Sequence, residues 1–559
     1  MHFIRLFAAI LLASVAAGAV WWIADRPVPV AAEWSQPLSN VSFAAFRRGE
    51  SPLKGIYPTP AEIEQDMMAL VGRAKGIRTY TPREGLQVVP ELAEKYGFKL
   101  TLGAWLGTNR DINEAEVAAL IQQANDHPEA VQRVMVGNEV LLRGDLSPQE
   151  LLGYIRRVKA AIKQPVSTAD VWAFVLNYPE VGRELDYITV HILPFWDDEP
   201  VGIEGVEEDT VKIVERIRET FPGKPILIGE AGWPSIGRDR GPAVVDVVHE
   251  ADYVRRMANL AARYDFDYNI VEAFDQPWKS ELEGTVGGAW GLLDADRAHG
   301  QGVAKFPMTG PVELVANWCT RAGWAIALGV IATLVFARAL PGFTAMLAFA
   351  VAAQILSWLL VSTGFHAYEI SFRPWQYIWL ALRVGLPALL SLALLRQARD
   401  RLAGLTNGDR LLGRLWMVLS ALYAVGWSLF LLFDGRYRDI PEFDFCLPVG
   451  GVLVLAAIGL LRGAPWREAL SFEGLFPSRH YRFTVLLGWL LVATGVLSVI
   501  GEVNALAIGR DFVAAHPSLR EQLPYLVKAL VWNREMDLWA AMQLLWSLPF
   551  LLARGKQQA

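Results

Sequence analysis

The chain has 559 residues, 53% of them hydrophobic and only 20% charged, with a formal net charge of -6. That is too long for one ordinary domain and too apolar for a wholly soluble protein. The mild acidity argues against a nucleic-acid binder, which needs a basic face, and two cysteines leave no disulfide framework and no zinc spacing.

Met1 to Ile23 opens with a lone Arg5 and then runs apolar from Leu6 to Ile23, long enough to cross a bilayer. Ala17-Gly18-Ala19 resembles a cleavage site for a signal peptide. Val20-Trp21-Trp22 nevertheless carries the apolar stretch on to an interfacial aromatic pair, so residues 1–23 are read as an uncleaved signal anchor. Under either reading the residues beyond Ile23 are exported. Residues 24–52 read as a linker. From Leu53 a strand–helix alternation begins, with strands expected at Leu53–Tyr57, Gly76–Tyr80, Lys99–Trp105, Arg133–Gly137, Val166–Val171, Tyr187–Ile192, Ile226–Gly229 and Asn269–Ala273. Amphipathic stretches such as Ala61–Arg73, Ser147–Lys163 and Val247–Tyr264 lie between them, and Pro60 and Ser147-Pro148 suit first helical turns. Eight such units in about 220 residues predict a (β/α)8 TIM barrel over 53–310. An open doubly wound sheet would show a Gly-rich first turn, and Tyr57-Pro58-Thr59-Pro60 is not one.

Beyond Pro311 the chain becomes a run of apolar spans, near Trp324–Ala337, Ala345–Val361, Trp375–Leu395, Leu415–Phe433, Val449–Leu461, Phe483–Ile500 and Leu538–Leu552. The fold class is therefore α/β, a barrel joined to an α-helical transmembrane domain of about seven spans over 320–559. Arg396, Arg399, Arg401, Arg410 and Arg414 crowd one loop, and Arg462, Arg467, Arg479 and Arg482 another, while Arg554 and Lys556 end the chain. The positive-inside rule makes these cytoplasmic, with both termini inside and residues 24–322 in the periplasm of a cell with an inner membrane. Cys319 and Cys446 both flank spans on the outer side; free thiols are the preferred reading and a single disulfide the other. Arg383 sits inside its span, a functional-site candidate that a tilted helix or snorkelling also explains. No inverted repeat or pair of broken helices marks a transporter, so the spans read first as anchor and scaffold.

Two strand-ending carboxylates carry the chemistry. Ile226-Leu227-Ile228 is a buried-strand run that stops at Glu230, with a turn signal in Gly232-Trp233-Pro234. Val136-Gly137-Asn138-Glu139-Val140 places a second acid at the end of the fourth strand. Each alone is more often a helix cap than a catalyst. Together, at the C-terminal ends of strands four and seven of one barrel, they should face each other across its mouth. Asp265-Phe-Asp267 and Asp294-Ala-Asp296 match the Asp-x-Asp of nucleotide-sugar transferases only trivially, since neither follows a Rossmann-like strand. Asp197-Asp198-Glu199 reads as a solvated loop rather than a metal site.

Lys224-Pro-Ile-Leu-Ile-Gly-Glu-Ala-Gly-Trp-Pro-Ser-Ile-Gly237 resembles, position by position, the nucleophile signature of glycoside hydrolase family 17, the β-1,3-glucanases and β-1,3-glucan glucosyltransferases. The resemblance extends through Gly55-Ile-Tyr-Pro58, Arg78-Thr-Tyr80, Val166-Ser-Thr-Ala-Asp170, Glu272-Ala-Phe-Asp-Gln-Pro-Trp-Lys279 and Trp290-Gly-Leu292. It implies a retaining pair, Glu139 as acid/base and Glu230 as nucleophile, with Asn138 on the sugar 2-hydroxyl and neither metal nor cofactor. Leu193 departs from the plant enzymes, which carry Tyr there. Pyranose faces stack on rings, and Tyr57, Tyr80, Trp105, Trp172, Trp196, Trp233, Trp278 and Trp290 fall at or beyond strand ends, about half of them expected to line the groove. The substrate-binding set expected is Tyr57, Tyr80, Asn138, Asp170, His191, Trp233 and Trp278, although a lone His such as His191 is slightly more often a hydrogen-bonded structural residue than a catalytic one.

An exported family 17 barrel ahead of a multi-span tail also looks like the rhizobial β-(1→6)-glucan synthases that act on cyclic glucans. The first expectation is thus a periplasm-facing, inner-membrane glucosyltransferase that cleaves β-1,3-glucan and forms new linkages, β-1,6 among them, in cyclic or osmoregulatory β-glucans. Its partners would be the glucan, the lipid bilayer and a glucan synthase, with no nucleic acid. A β-1,3-glucanase is the second expectation, and an inactive glycan-binding or export subunit the third.

Overall fold

The computed structural model describes the chain except residues 298–302, 316, 372, 406–409, 435–437, 477–480, 510–511, 514–515 and 554–559, which include the expected cytoplasmic charges Arg479, Arg554 and Lys556. It divides into two compact units: Pro27–Glu313, and Met1–Arg26 with Leu314–Ala559.

The first unit is a closed barrel of eight parallel strands, each paired with its sequence neighbour and β1 with β8. The strands are β1 Leu38–Ser42, β2 Ala74–Arg78, β3 Lys99–Ala104, β4 Val131–Asn138, β5 Val166–Val171, β6 Ile188–His191, β7 Ile226–Ala231 and β8 Asp267–Ile270. Their side chains are buried nearly throughout, as a barrel clothed in helices requires. The first strand corrects the sequence reading. It lies inside the expected linker, whereas Pro52–Lys54 is a 3-10 turn and residues 51–56 make only an isolated bridge. Pro52 lacks a ladder donor and Gly55 is left-handed at φ 66°, so this stretch cannot run on as a central strand. β1 escaped notice because Asn40 and Ser42 interrupt its apolar pattern. Both are buried and hydrogen-bonded within the barrel, Asn40 to the Tyr268 carbonyl and Ser42 to Tyr80 and Asn269. β8 begins two residues earlier than expected.

Local signals fix the helices. Thr59 and Glu62 form a capping box ahead of Pro60–Leu70, Ser147 and Glu150 another ahead of Pro148–Ala161, and each helix has Pro in its first turn. Arg255 is buried under the ends of this unit and donates to the carbonyls of Ala32, Pro307 and Gly310. Those bonds, with the Val28–Val312 bridge, fasten the segments leading into and out of the barrel.

The second unit is helical. Among the described residues, seven helices are long and apolar enough to cross a membrane: His2–Asp25, Trp318–Ala339, Gly342–Glu369, Pro374–Leu402, Leu411–Leu432, Glu442–Leu461 and Arg482–Ala507. The eighth expected span is a helix, Arg534–Leu551, but Arg534, Glu535 and Asp537 in its first turns keep it out of that set. Small residues let the helices approach: a Cβ on Gly451 would meet Leu394 at 2.4 Å and one on Gly450 would meet Leu359 at 2.4 Å. Several polar groups inside this unit are paired with one another. Thr494 bonds Gln543 at 2.9 Å, and Gln543 and Trp539 both donate to Ser428. Arg383 binds Asp444 through two nitrogens at 3.0 and 2.8 Å, and Tyr423 donates to the other oxygen of that carboxylate. Cys319 and Cys446 are free.

Candidate active site

Glu139 is aimed by the main chain. The register of β4 against β5 slips between Met135 and Asn138, Gly137 takes φ +89°, and Glu139 itself is left-handed at φ 53°. A bulge at a barrel rim re-aims the side chain that follows it. Only glycine suits position 137, where a Cβ would also lie 2.6 Å from Val140. The Glu139 N–H donates to the Ala169 carbonyl at 2.8 Å, and the chain turns into the short helix Val140–Arg143. Glu230 comes from the end of β7, in register with His191 on β6.

The structure brings the two acids together. A carboxylate oxygen of Glu139, one of Glu230 and a ring nitrogen of His191 all lie within 4.8 Å of one another. His191 Nδ1 is 2.9 Å from Glu139 Oε1 and 3.6 Å from Glu230 Oε2, so the buried imidazole sits between the two carboxylates. Burial pushes the Glu139 carboxyl up, but the hydrogen bond and charge of His191, with Arg143 and Arg78, outweigh it and hold the group below its usual value.

Arg78, fully buried at the end of β2, organises the floor. Its Nη1 donates to the Gly229 carbonyl at 2.6 Å and faces Glu230 Oε1 at 3.6 Å, while Nη2 donates to Asn138 Oδ1. The guanidinium also lies over the Tyr80 ring, 4.6 Å from its centroid. With its oxygen occupied by an obligate donor, the Asn138 amide keeps its N–H groups for another acceptor. A Cβ on Gly229 would lie 3.3 Å from both Arg78 Nη1 and His191 Cδ2, and 2.5 Å from Thr189, so the bare backbone there makes room for both side chains.

A second layer of charge stands beside the pair. Glu272 is fully buried against Lys279, and burial pushes its carboxyl up despite that cation. Glu283 is pushed up to about 7 by burial, with Lys279 opposing and the charges of Glu272, Glu230 and Glu139 reinforcing the rise. Four carboxyl groups thus share one mouth with the cations Arg78, Arg143 and Lys279. Carboxylates held there suit a transition state that develops positive charge at a sugar carbon. Glu139, His191 and Glu230 are also a donor set that a metal ion could use. Arg78 already supplies positive charge 3.6 Å from Glu230, which favours the acid-pair reading.

The expected binding residues divide. Tyr57 is exposed beside Phe46, and Trp278 is half-buried against the same ring, with its indole N–H donated to Gln276. Tyr80 is half-buried, its hydroxyl 2.9 Å from Ser42. Asn138, His191 and Tyr80 therefore meet around Arg78 and the two acids. Two expectations are corrected. Trp233 is fully buried in the core, edge-on to Phe195 and bonded through its N–H to the Val244 carbonyl, so it does not line the groove. Asp170 is also buried. Its oxygens accept the N–H groups of Leu141, Leu142 and Val171, fastening the turn after Glu139 instead of facing a sugar, and burial pushes it up to about 6. Of the other aromatics, Trp290 is buried and stacks on Trp196 at 6.2 Å, whereas Trp105, just past β3, is 41% exposed. Arg143 lies 4.4 Å over the Trp105 ring and donates to the carbonyls of Asn138 and Leu106, tying that indole to the Glu139 turn.

Arg78 and Glu283 were not singled out from sequence. Arg78 had a signal, a lone cation ending an apolar strand in Gly76-Ile-Arg; Glu283 had none, since Lys279 four positions before it reads as an ordinary helix-face pair and Glu230 and Glu139 are remote in the chain. The Asp-x-Asp candidates are accounted for: Asp267 begins β8, at the end opposite the mouth, and pairs with Arg133, while Asp296 pairs with Arg48.

Residues 46–291 match a family model described as the BtgE/BtgC glycoside hydrolase domain. A glucan 1,3-beta-glucosidase of Arthroderma benhamiae is 28% identical over 269 residues, covering 45% of this chain and 87% of the relative. One of Saccharomyces cerevisiae is 24% identical over 279 residues, covering 46% of this chain and 89% of the relative. Among solved structures, a glycoside hydrolase family 17 beta-1,3-glucanosyltransferase from Rhizomucor miehei is 27% identical with a TM-score of 0.41, covering 46% of this chain and 94% of that one.

Proposed function

We propose that this protein, whose barrel is a glycoside hydrolase domain of the family 17 kind, cleaves β-1,3-glucan by double displacement at Glu139 and Glu230 and passes the glycosyl group to a sugar hydroxyl. The observation that carries the reading is the approach of the two carboxylates to within 4.8 Å, where a retaining pair is set about 5–5.5 Å apart and an inverting pair farther. In the first step a Glu230 oxygen bonds the anomeric carbon as the glycosidic C–O bond breaks. Glu139 delivers its proton to the departing oxygen. In the second, an acceptor hydroxyl gives its proton to Glu139, its oxygen bonds the same carbon, and Glu230 leaves. Asn138, oriented by Arg78, donates to the sugar 2-hydroxyl, a contact that strengthens in the transition state.

Transfer and hydrolysis share the glycosyl–enzyme intermediate and differ in what attacks it. Trp105 supports transfer, because an exposed, pre-positioned indole on the acid/base side offers a pyranose face a platform that water does not need. The glucosidase names of the relatives favour hydrolysis instead. On our reading the long apolar helices anchor the enzyme in an inner membrane. Arg396, Arg399, Arg401 and Arg414 at one set of helix ends, with Arg462, Arg467 and Arg482 at another, support a cytoplasmic side for these loops and a periplasmic barrel. β-1,6 linkages in a periplasmic glucan are the product this arrangement suits.

Incubation of the purified full-length protein with laminari-oligosaccharides, read by mass spectrometry and linkage NMR, tests the proposal. Longer or branched products are expected. Glucose and short fragments alone would leave a hydrolase, and binding without turnover an inactive barrel.

A further inference from the structure

The segment between the last two long helices carries a short helix, Leu519–Lys528, with two contrasting faces. It begins at a capping box of Ser518 and Glu521 and continues into a 3-10 turn, Ala529–Val531. One face is satisfied by protein: Tyr525, Leu526 and Ala529 pack with Val503, Leu506, Phe512 and Trp532, the Tyr525 ring 5.8 Å from that of Phe512. A second face is bare and apolar. Leu519, Leu523 and Val527, spaced four apart on one stripe, are 70%, 55% and 56% exposed, and Leu530 and Val531 extend it. Arg520 and Lys528 edge that stripe, with Glu521 farther round the helix.

We propose that Leu519–Lys528 lies in the plane of the outer leaflet, with Leu519, Leu523, Val527 and Val531 sunk among acyl chains and Arg520 and Lys528 reaching the headgroups. The inference rests on the reading that the long apolar helices cross a bilayer. Two observations name lipid as the occupant. Leu506, against which the helix is packed, is in the final turn of the span Arg482–Ala507, so the helix is held where that span leaves the hydrocarbon. That span itself bears exposed apolar side chains at Leu486, Leu490, Val496, Leu497 and Ile500, which meet lipid chains on this reading. A helix with an apolar face, a polar face and long cations at their border is the form that rests at a membrane interface.

The test uses the full-length chain with Cys319→Ser and Cys446→Ala, reconstituted in phosphatidylcholine–phosphatidylglycerol nanodiscs. Single spin labels go at Leu523, at Val527, at Glu521 and, as a reference, at Leu490. Collisional broadening by oxygen should exceed that by a water-soluble nickel chelate at Leu523, Val527 and Leu490, with the order inverted at Glu521. Nickel access at Leu523 and Val527 would overturn the proposal by placing the stripe in water. Exclusion of both reagents there would overturn it too, by showing that protein covers the stripe. Nickel access at Leu490 would instead sink the bilayer reading on which the proposal stands.

Discussion

Two groups of buried polar side chains, one in each unit, differ in what they do. In the helical unit Arg383 meets Asp444 and Tyr423, and Thr494, Gln543, Ser428 and Trp539 close a small network. At one end of the barrel, Glu139, Glu230, Glu272 and Glu283 converge among Arg78, Arg143 and Lys279, and the pKa values of Glu139, Glu272 and Glu283 are shifted from their usual values. Pairing of the first kind costs little and specifies packing. The second kind crowds carboxyl groups whose protonation shifts with their neighbours, the pattern found at functional sites. The difference sets groups that hold the molecule together apart from the candidate active site.

Substitutions should break along that line. Glu230→Gln removes the oxygen proposed to attack and is expected to lower turnover of laminari-oligosaccharides on the order of 10⁴-fold with the fold intact, measured by product formation and circular dichroism. Glu139→Gln should cost about 10²–10⁴-fold, less for donors with an activated aryl leaving group that needs no proton. Arg78→Met leaves Asn138 and Glu230 unoriented, and about 10²-fold in kcat is expected from the misplacement. Trp105→Ala should lower the transfer-to-hydrolysis ratio about tenfold, the worth of one stacking contact, while donor cleavage persists; an unchanged ratio would remove Trp105 from the acceptor side. The smallest effect is a shift of profile. The His191 hydrogen bond and charge lower the Glu139 pKa, so His191→Asn lets it rise. The protonated acid then survives to higher pH, and the alkaline limb of kcat/KM moves up. For contrast, Asp444→Asn in the helical unit should lower the thermal midpoint and leave kcat untouched.

How far the chain was readable has the same physical root. The barrel, and the convergence of strand-ending acids on one mouth, were legible because apolar runs stop abruptly at Glu139 and Glu230 and turn residues come next. β1 was not, because the barrel interior at Asn40 and Ser42 is itself polar, and a strand facing it loses its apolar signature. Trp233 and Trp105 occupy comparable places at strand ends, yet one fills the core and the other reaches solvent. Packing by Phe195 and Tyr253 decides that, and neither lies next to Trp233 in sequence. Asp170 misled for a related reason: the amide groups it accepts belong to Leu141 and Leu142, 29 and 28 positions away.

The left-handed backbone at Glu139, reached through the Gly137 bulge, has a consequence for engineering. The direction of this acid is written into the main-chain conformations of Gly137 and Glu139 and one hydrogen bond from the Glu139 N–H to the Ala169 carbonyl. Anyone transplanting the chemistry into an unrelated barrel would have to graft that kinked peptide whole, because a glutamate inserted at the tip of a regular strand would point somewhere else.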